Sequence, residues 1–243
     1  MFDLLFARVF LIVGGMLLIT ALTSRLNKLF ETKKEMWITI ISTFVFLFAI
    51  VFFADIFPLN LILVAIFSAL IGWQMGPTIE LYRKRFMLKK YLKSKGIKIE
   101  KGKISPEQEA EFERSIAGNP DDHEWGKIIS QTLLATALAI FATASTVFLT
   151  SINFSFLGSF LLIALIALIL LSISNALFFH SRLFSLIKSY LGALIFTLYL
   201  LYDFNRLEEM AGDKSWGTAV DIAVNIYLDI INLFLYLLDI LSD

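Results

Sequence analysis

The chain has 243 residues, 58% of them hydrophobic and 17% charged, against about 45–50% and about 25% in soluble domains. Its 21 Lys and Arg balance 21 Asp and Glu, so there is no overall field to recruit nucleic acid. The absence of cysteine excludes disulfides, thiolate metal sites and a cysteine nucleophile, and two separated histidines, His123 and His180, argue against a histidine metal centre.

The first apolar run starts at Leu4. A cleaved signal would begin with an early basic region and a core of about 7–15 residues. Here Asp3 precedes the first cation, Arg8, and the run is longer. It reads as a retained transmembrane helix over residues 4–24. A crossing needs about 20 mainly apolar residues, and that criterion then selects 37–57, 59–81, 128–150, 154–174, 184–202 and 217–241. Continuous helices are expected because lipid leaves an open backbone N–H or C=O without a partner. Within the third span, Gly72 and Gly76 are four residues apart and Pro77 follows. The small residues favour close helix packing, while Pro77 frees a carbonyl that a neighbour must satisfy. Glu80, just beyond, either lines a mouth of a pathway or faces Arg83 as an interfacial acid.

The three segments are therefore residues 1–81 with helices one to three, an aqueous loop over 82–126, and residues 127–243 with helices four to seven. The loop is divided by charge. Residues 83–103 hold ten cations and one acid, whereas 107–124 hold seven acids and one cation. Ser105-Pro106-Glu107 has the signs of a helix start and Gly118-Asn119-Pro120 those of a stop. Two readings follow: a solvated hairpin over one mouth of the bundle, or docking of its basic half on anionic headgroups. The basic loops lie between helices one and two, three and four, and five and six, which places the N-terminus outside and the C-terminus in the cytoplasm.

The last span carries the most information. Thr218, Asp221, Asn225, Asp229, Asn232, Tyr236, Asp239 and Asp243 follow one another at intervals of three or four residues, which aligns them in one seam of an α-helix. A mid-membrane acid costs at least about 2.5–3.5 kcal/mol, so the seam is expected to face protein or water. Asp229 lies near its middle. Asp239 and Asp243 are expected in headgroup water, and Asp221 at the opposite mouth. Asp203 ends the sixth span, above a strip formed by Tyr199, Phe196, Gly192 and Ser189. The sixth and seventh spans are consecutive and antiparallel, which allows Asp203 to face Asp229. Two carboxyls that close titrate as a unit and hold one proton, or none when a cation sits between them. The plainer alternatives are Asp203 paired with Arg206 three residues on, and Asp229 as a protonated acid bonded within the bundle.

The stretches Leu198-Tyr-Leu-Leu-Tyr-Asp203 and Ile226-Tyr-Leu-Asp229-Ile-Ile-Asn-Leu-Phe234 resemble the C-terminal signature of the Bax inhibitor-1 (transmembrane BAX inhibitor motif) family. Gly76-Pro77-Thr-Ile-Glu80 is similar to that family's Gly-Pro segment in the third span. The resemblance implies an all-α, polytopic seven-transmembrane-helix bundle with the C-terminal helix at the centre, surrounded by the other six. It also implies a pH-sensitive calcium leak channel, with the gating aspartate pair falling on Asp203 and Asp229. Animal members are linked to cell-death suppression, and some bacterial members to regulation of a membrane protease. Three departures stand out. The end of the second span, Phe53-Ala-Asp-Ile-Phe57, has no cation to latch a closed pore; the charge-derived orientation opposes the family's; and the charged loop is long.

The expected function is thus a passive cation pathway with calcium as the permeant ion and no cofactor. Asp203 and Asp229 would bind calcium transiently, and Asn225, Asn232, Asp221 and Glu80 are the further candidates for its lining. Calcium prefers several such oxygen ligands. The alternative is a non-catalytic membrane regulator that contacts a membrane-protein partner through residues 83–124. An enzyme is not expected, since there is neither a Gly-x-Ser-x-Gly elbow nor a His-Glu-x-x-His helix. The expected location is a multi-pass position in the plasma membrane of a prokaryote, or otherwise in an organellar membrane.

Overall fold

Seven helices long and apolar enough to span a membrane form the computed structural model, which describes residues 3–96, 110–114, 123–150, 152–179 and 181–243. They are α1 (Leu4–Thr23), α2 (Lys33–Phe52), α3 (Leu59–Ser94), α4 (His123–Leu149), α5 (Leu157–Ser174), α6 (Arg182–Glu209) and α7 (Trp216–Leu241). A π-helical turn, Asn175–Phe179, joins the end of α5 towards α6. The protein is an all-α, polytopic membrane protein. The helix starts are chemically marked: Asp3, Thr32, Ser181 and Ser215 each accept a backbone N–H of the first turn through the side chain.

The C-terminal helix is the best-buried one. Ala219, Val220, Ile222, Ala223 and Tyr227 are fully enclosed on α7. Its neighbours are α6, α1, α4 and α3, while α2 packs on α3 and α5 on α6. The C-terminal helix thus lies at the centre of the bundle, with α6, α1, α4 and α3 as its main neighbours and α2 and α5 further out. The outer pair explains its own position by composition. On α2, Trp37, Ile41, Phe44 and Phe48 stay exposed, as do Phe160, Ile163, Ile166 and Leu170 on α5. In water such faces would be unstable; in acyl chains they cost nothing, and only the seam-bearing helix needs the interior.

Small residues let α1 and α3 approach. A Cβ on Gly72 would lie 2.6 Å from the carbonyl oxygen of Thr20, and one on Gly76 would lie 1.8 Å from that of Asn27. Both contacts are with backbone, so neither neighbour can yield. The side-chain amide of Asn27, buried there, donates to the carbonyl of Trp73 at 3.1 Å. That is the acceptor left open by Pro77, which has no N–H for the residue four before it. On the other side of α1, Thr20 donates to the carbonyl of Ser68 (3.0 Å) and meets the Tyr227 hydroxyl of α7 (2.6 Å).

The helices overrun several expected ends. α3 continues beyond Leu81 to Ser94, because nothing between Tyr82 and Ser94 breaks a helix. It stops where Gly96 adopts φ +67°, the left-handed conformation that glycine takes most easily. The aqueous loop therefore begins with more than three helical turns of basic extension. Its two charged halves meet: Lys90 pairs with Glu124 (2.9 Å), Lys95 with Glu111 (3.0 Å), and Phe112 packs on Tyr91. The helix start expected at Ser105-Pro106-Glu107 and the stop at Gly118-Asn119-Pro120 lie outside the described residues.

Candidate functional site

The antiparallel pairing of α6 and α7 brings two carboxyl groups together. Asp203 and Asp229 are buried, with 4% and 5% of their surface exposed, and their carboxyls are close enough to interact directly. Ionised carboxylates only accept, so this contact closes when one of the two carries a proton. Oδ2 of Asp229 is buried and meets no donor. Two buried carboxyls, one with an oxygen that no donor reaches, thus lie side by side inside the bundle.

The pair borders a cavity of about 490 Å³. One wall is α5, through Leu165, Leu168 and Ile169; the others are α6 and α7, through Tyr199, Tyr202, Arg206, Asn225, Asn232 and Tyr236. The cavity fills the space where α5 stands off from α7 and rests on α6 instead. Asn225 and Asn232 thus join the aspartates in one chamber, with the Asn232 amide also donating to the Leu228 carbonyl (2.8 Å). Tyr236 closes the chamber on the side towards the C-terminus. It stacks on Phe196 with ring centroids 5.7 Å apart, and it lies flat on Gly192, where a Cβ would come within 2.7 Å of its ring carbons.

The remaining candidates go elsewhere. Asp221 does not line the chamber; it holds Arg206, which lies 2.5 Å away and is one of the chamber's walls. Arg206 consequently pairs across helices with Asp221 and not with Asp203, its neighbour in sequence. Glu80 is gripped by Arg83 through two contacts of 2.8 and 2.9 Å on α3, a helix that does not border the chamber. Of the two readings of Glu80, the pairing with Arg83 is the one seen, with the guanidinium one turn on taking both its oxygens.

A further correction concerns Asp239, expected in headgroup water. It is buried, accepting from Ser189 (2.5 Å) and Arg182 (3.1 Å), and Arg182 also binds Asp243 at 2.7 Å. Lys89 reaches Asp243 as well. The seam is therefore anchored at both ends by cations from other helices. The near end is reinforced outside the span by Asp213. The Thr218 hydroxyl and the Ser215 N–H donate to it and hold its carboxyl below the usual range. Ser189 sits on the small-residue strip visible in the sequence, but the spacing of α6 alone gave no sign of what it would face. Among the described residues, no group of three or more His, Cys, Asp or Glu is placed to hold a metal ion.

Residues 123–243 match the family described as Inhibitor of apoptosis-promoting Bax1. The chain is 35% identical over 118 residues to an uncharacterized protein of Campylobacter jejuni, covering 49% of each. It is 34% identical over 119 residues to protein LIFEGUARD 3 of Arabidopsis thaliana, covering 48% of this chain and 47% of the relative. It is 33% identical over 115 residues to the Golgi anti-apoptotic protein of vaccinia virus, covering 47% of each. The chain thus spans about half the length of these curated relatives. The matched half holds α4 to α7, and with them both aspartates and the chamber.

Proposed function

Since the chain belongs, through residues 123–243, to the Bax inhibitor-1/LIFEGUARD superfamily, we propose that it is a passive, pH-sensitive calcium leak pathway whose proton sensor is Asp203 with Asp229. Members of this family are non-catalytic, and the role is one of permeation. The observation that carries the reading is the contact of two buried carboxyls beside a polar chamber. In the closed form the pair shares a single proton, a charge-assisted O–H···O⁻ bond that ties α6 to α7. Arg206, one helical turn from Asp203, is the nearby cation that the end of the second span does not provide.

A second proton removes the pair's charge, and with it both the charge-assisted bond and the attraction to Arg206. The α6–α7 contact then loosens and flux rises with acid. Calcium is the cargo. It moves past the two carboxylates and the amide oxygens of Asn225 and Asn232, with water completing its shell. Reconstitution in vesicles loaded with a calcium-sensitive dye tests this. Wild-type protein admits calcium faster as the outside is acidified, and Asp203→Asn with Asp229→Asn abolishes that dependence. A double variant that responds to pH as the wild type does removes the pair as sensor, and a wild-type protein passing no calcium at any pH removes the pathway.

A further inference from the structure

At the opposite end of α6 lies a second and larger cavity, of about 650 Å³, which the ion-pathway reading does not use. Its walls come from α3, the end of α5 with the π-helical turn, the start of α6, and Asp239 of α7. α3 and α6 leave a gap between them, and the cavity opens through it. Three cations converge there: Arg85 from α3, and Arg182 and Lys188 from α6.

Their charges are unequally answered. Arg182 is committed to Asp239 and Asp243. Among the described residues, Arg85 lies over the ring of Tyr82, 5.8 Å from its centroid, and neither Arg85 nor Lys188 has a carboxylate partner. Among the described residues, Asp239 is the one acid on the wall, and it is already engaged by Arg182 and Ser189. The cavity therefore has a surplus of positive charge, with the hydroxyls of Tyr82 and Ser185 beside it. A calcium ion would be repelled; a phosphate, with its several oxygens and negative charge, matches this donor set.

The rim decides what carries the phosphate. Leu81 on the wall is 49% exposed, and Leu177 and Leu183 nearby are 64% and 69% exposed. Leu81 lines the cavity with the cations, and Leu177 and Leu183 add acyl-compatible surface on the two elements that flank Ser181 and Arg182 of its wall. We propose that this cleft between α3 and α6 binds the phosphate headgroup of an anionic phospholipid, held by Arg85 and Lys188, with its acyl chains along Leu81, Leu177 and Leu183. Basic pockets between membrane helices take such headgroups. The proposal is independent of whether calcium moves along α7.

The test is lipid binding by the full-length chain in detergent, read by native mass spectrometry and by the rise in melting temperature on adding phosphatidylglycerol. Wild-type protein is expected to retain phosphatidylglycerol over phosphatidylcholine, and Arg85→Gln with Lys188→Gln to bind it about 30-fold less tightly, two surface cations' worth. Lys33→Gln with Lys34→Gln, at the exposed start of α2, is expected to bind as the wild type does. Arg85→Lys with Lys188→Arg keeps the charges and the binding; should the glutamine pair not fold, the single Lys188→Gln variant gives the same reading at smaller size. Equal binding by wild type and glutamine variants overturns the site, as does equal retention of the two lipids. Displacement of phosphatidylglycerol by an equal concentration of glycerol phosphate would make it a site for a free phosphate and overturn the lipid assignment.

Discussion

The side-chain amide of Asn27 donates to the carbonyl oxygen of Trp73 across the α1–α3 interface, in the place of the backbone N–H that Pro77 lacks. Gly76 makes this possible, because any side chain there would push the Asn27 backbone away. Replacing Asn27 by Ala leaves a buried carbonyl unpaired, at a cost of about 1–3 kcal/mol. Pro77→Ala restores an N–H to the helix, so the same Asn27→Ala change should cost much less in that background. Thermal melts of the four proteins form a double-mutant cycle. Additive costs would show that Asn27 does not substitute for the missing donor.

Tyr236 and Gly192 make a second prediction. An alanine at 192 places its methyl within 2.7 Å of the tyrosine ring. The ring is the end of a side chain and can swing, but it must leave its stack on Phe196. Overpacking of this kind costs about 1–3 kcal/mol. If the ring closes the chamber below the aspartate pair, Gly192→Ala also raises calcium entry at neutral pH. A destabilised variant with wild-type flux would confine Tyr236 to packing.

Much of this architecture is legible along single helices. Seven apolar runs, the three-and-four spacing on α7 and the Gly-Pro step on α3 depend only on local sequence, and each has its counterpart in the structure. What spacing cannot supply is which residue lies opposite on another helix. Arg206 is three residues from Asp203, yet it binds Asp221. Asp239 looks like a headgroup acid until Arg182 and Ser189 arrive from α6. Glu80 shows the converse: its partner Arg83 was one turn away, and the local pair prevails. The overrun of α3 was also readable, since the first glycine after the third span is Gly96, but counting apolar residues ended the helix with the hydrophobic run.

Arg206 separates stability from permeation. Its pair with Asp221 is partly exposed, 30% and 47% on the two sides, and such pairs contribute under about 1 kcal/mol. Arg206→Gln should therefore melt close to the wild type. The same change removes the cation that borders the chamber and stands by the aspartate pair, so calcium entry at neutral pH should rise and its increase on acidification should shrink. Unaltered flux in a folded Arg206→Gln protein would show that the guanidinium only fastens α6 to the start of α7.

Asp213 supplies the control for pH. Its carboxyl is held below the ordinary value of about 3.9 by the Thr218 hydroxyl and the Ser215 N–H. A depressed folded pKa means that its contribution is complete above the unfolded value and is lost only as pH falls through the lower, folded one. Across mildly alkaline to mildly acidic pH Asp213 stays ionised and its bonds to the start of α7 persist. Asp213→Ala should then lower stability by a similar amount at every pH in that window and leave the acid response of calcium entry intact. If that response were flattened by Asp213→Ala but kept by Asp203→Asn with Asp229→Asn, the sensor would be the exposed turn before α7 and not the buried pair within it.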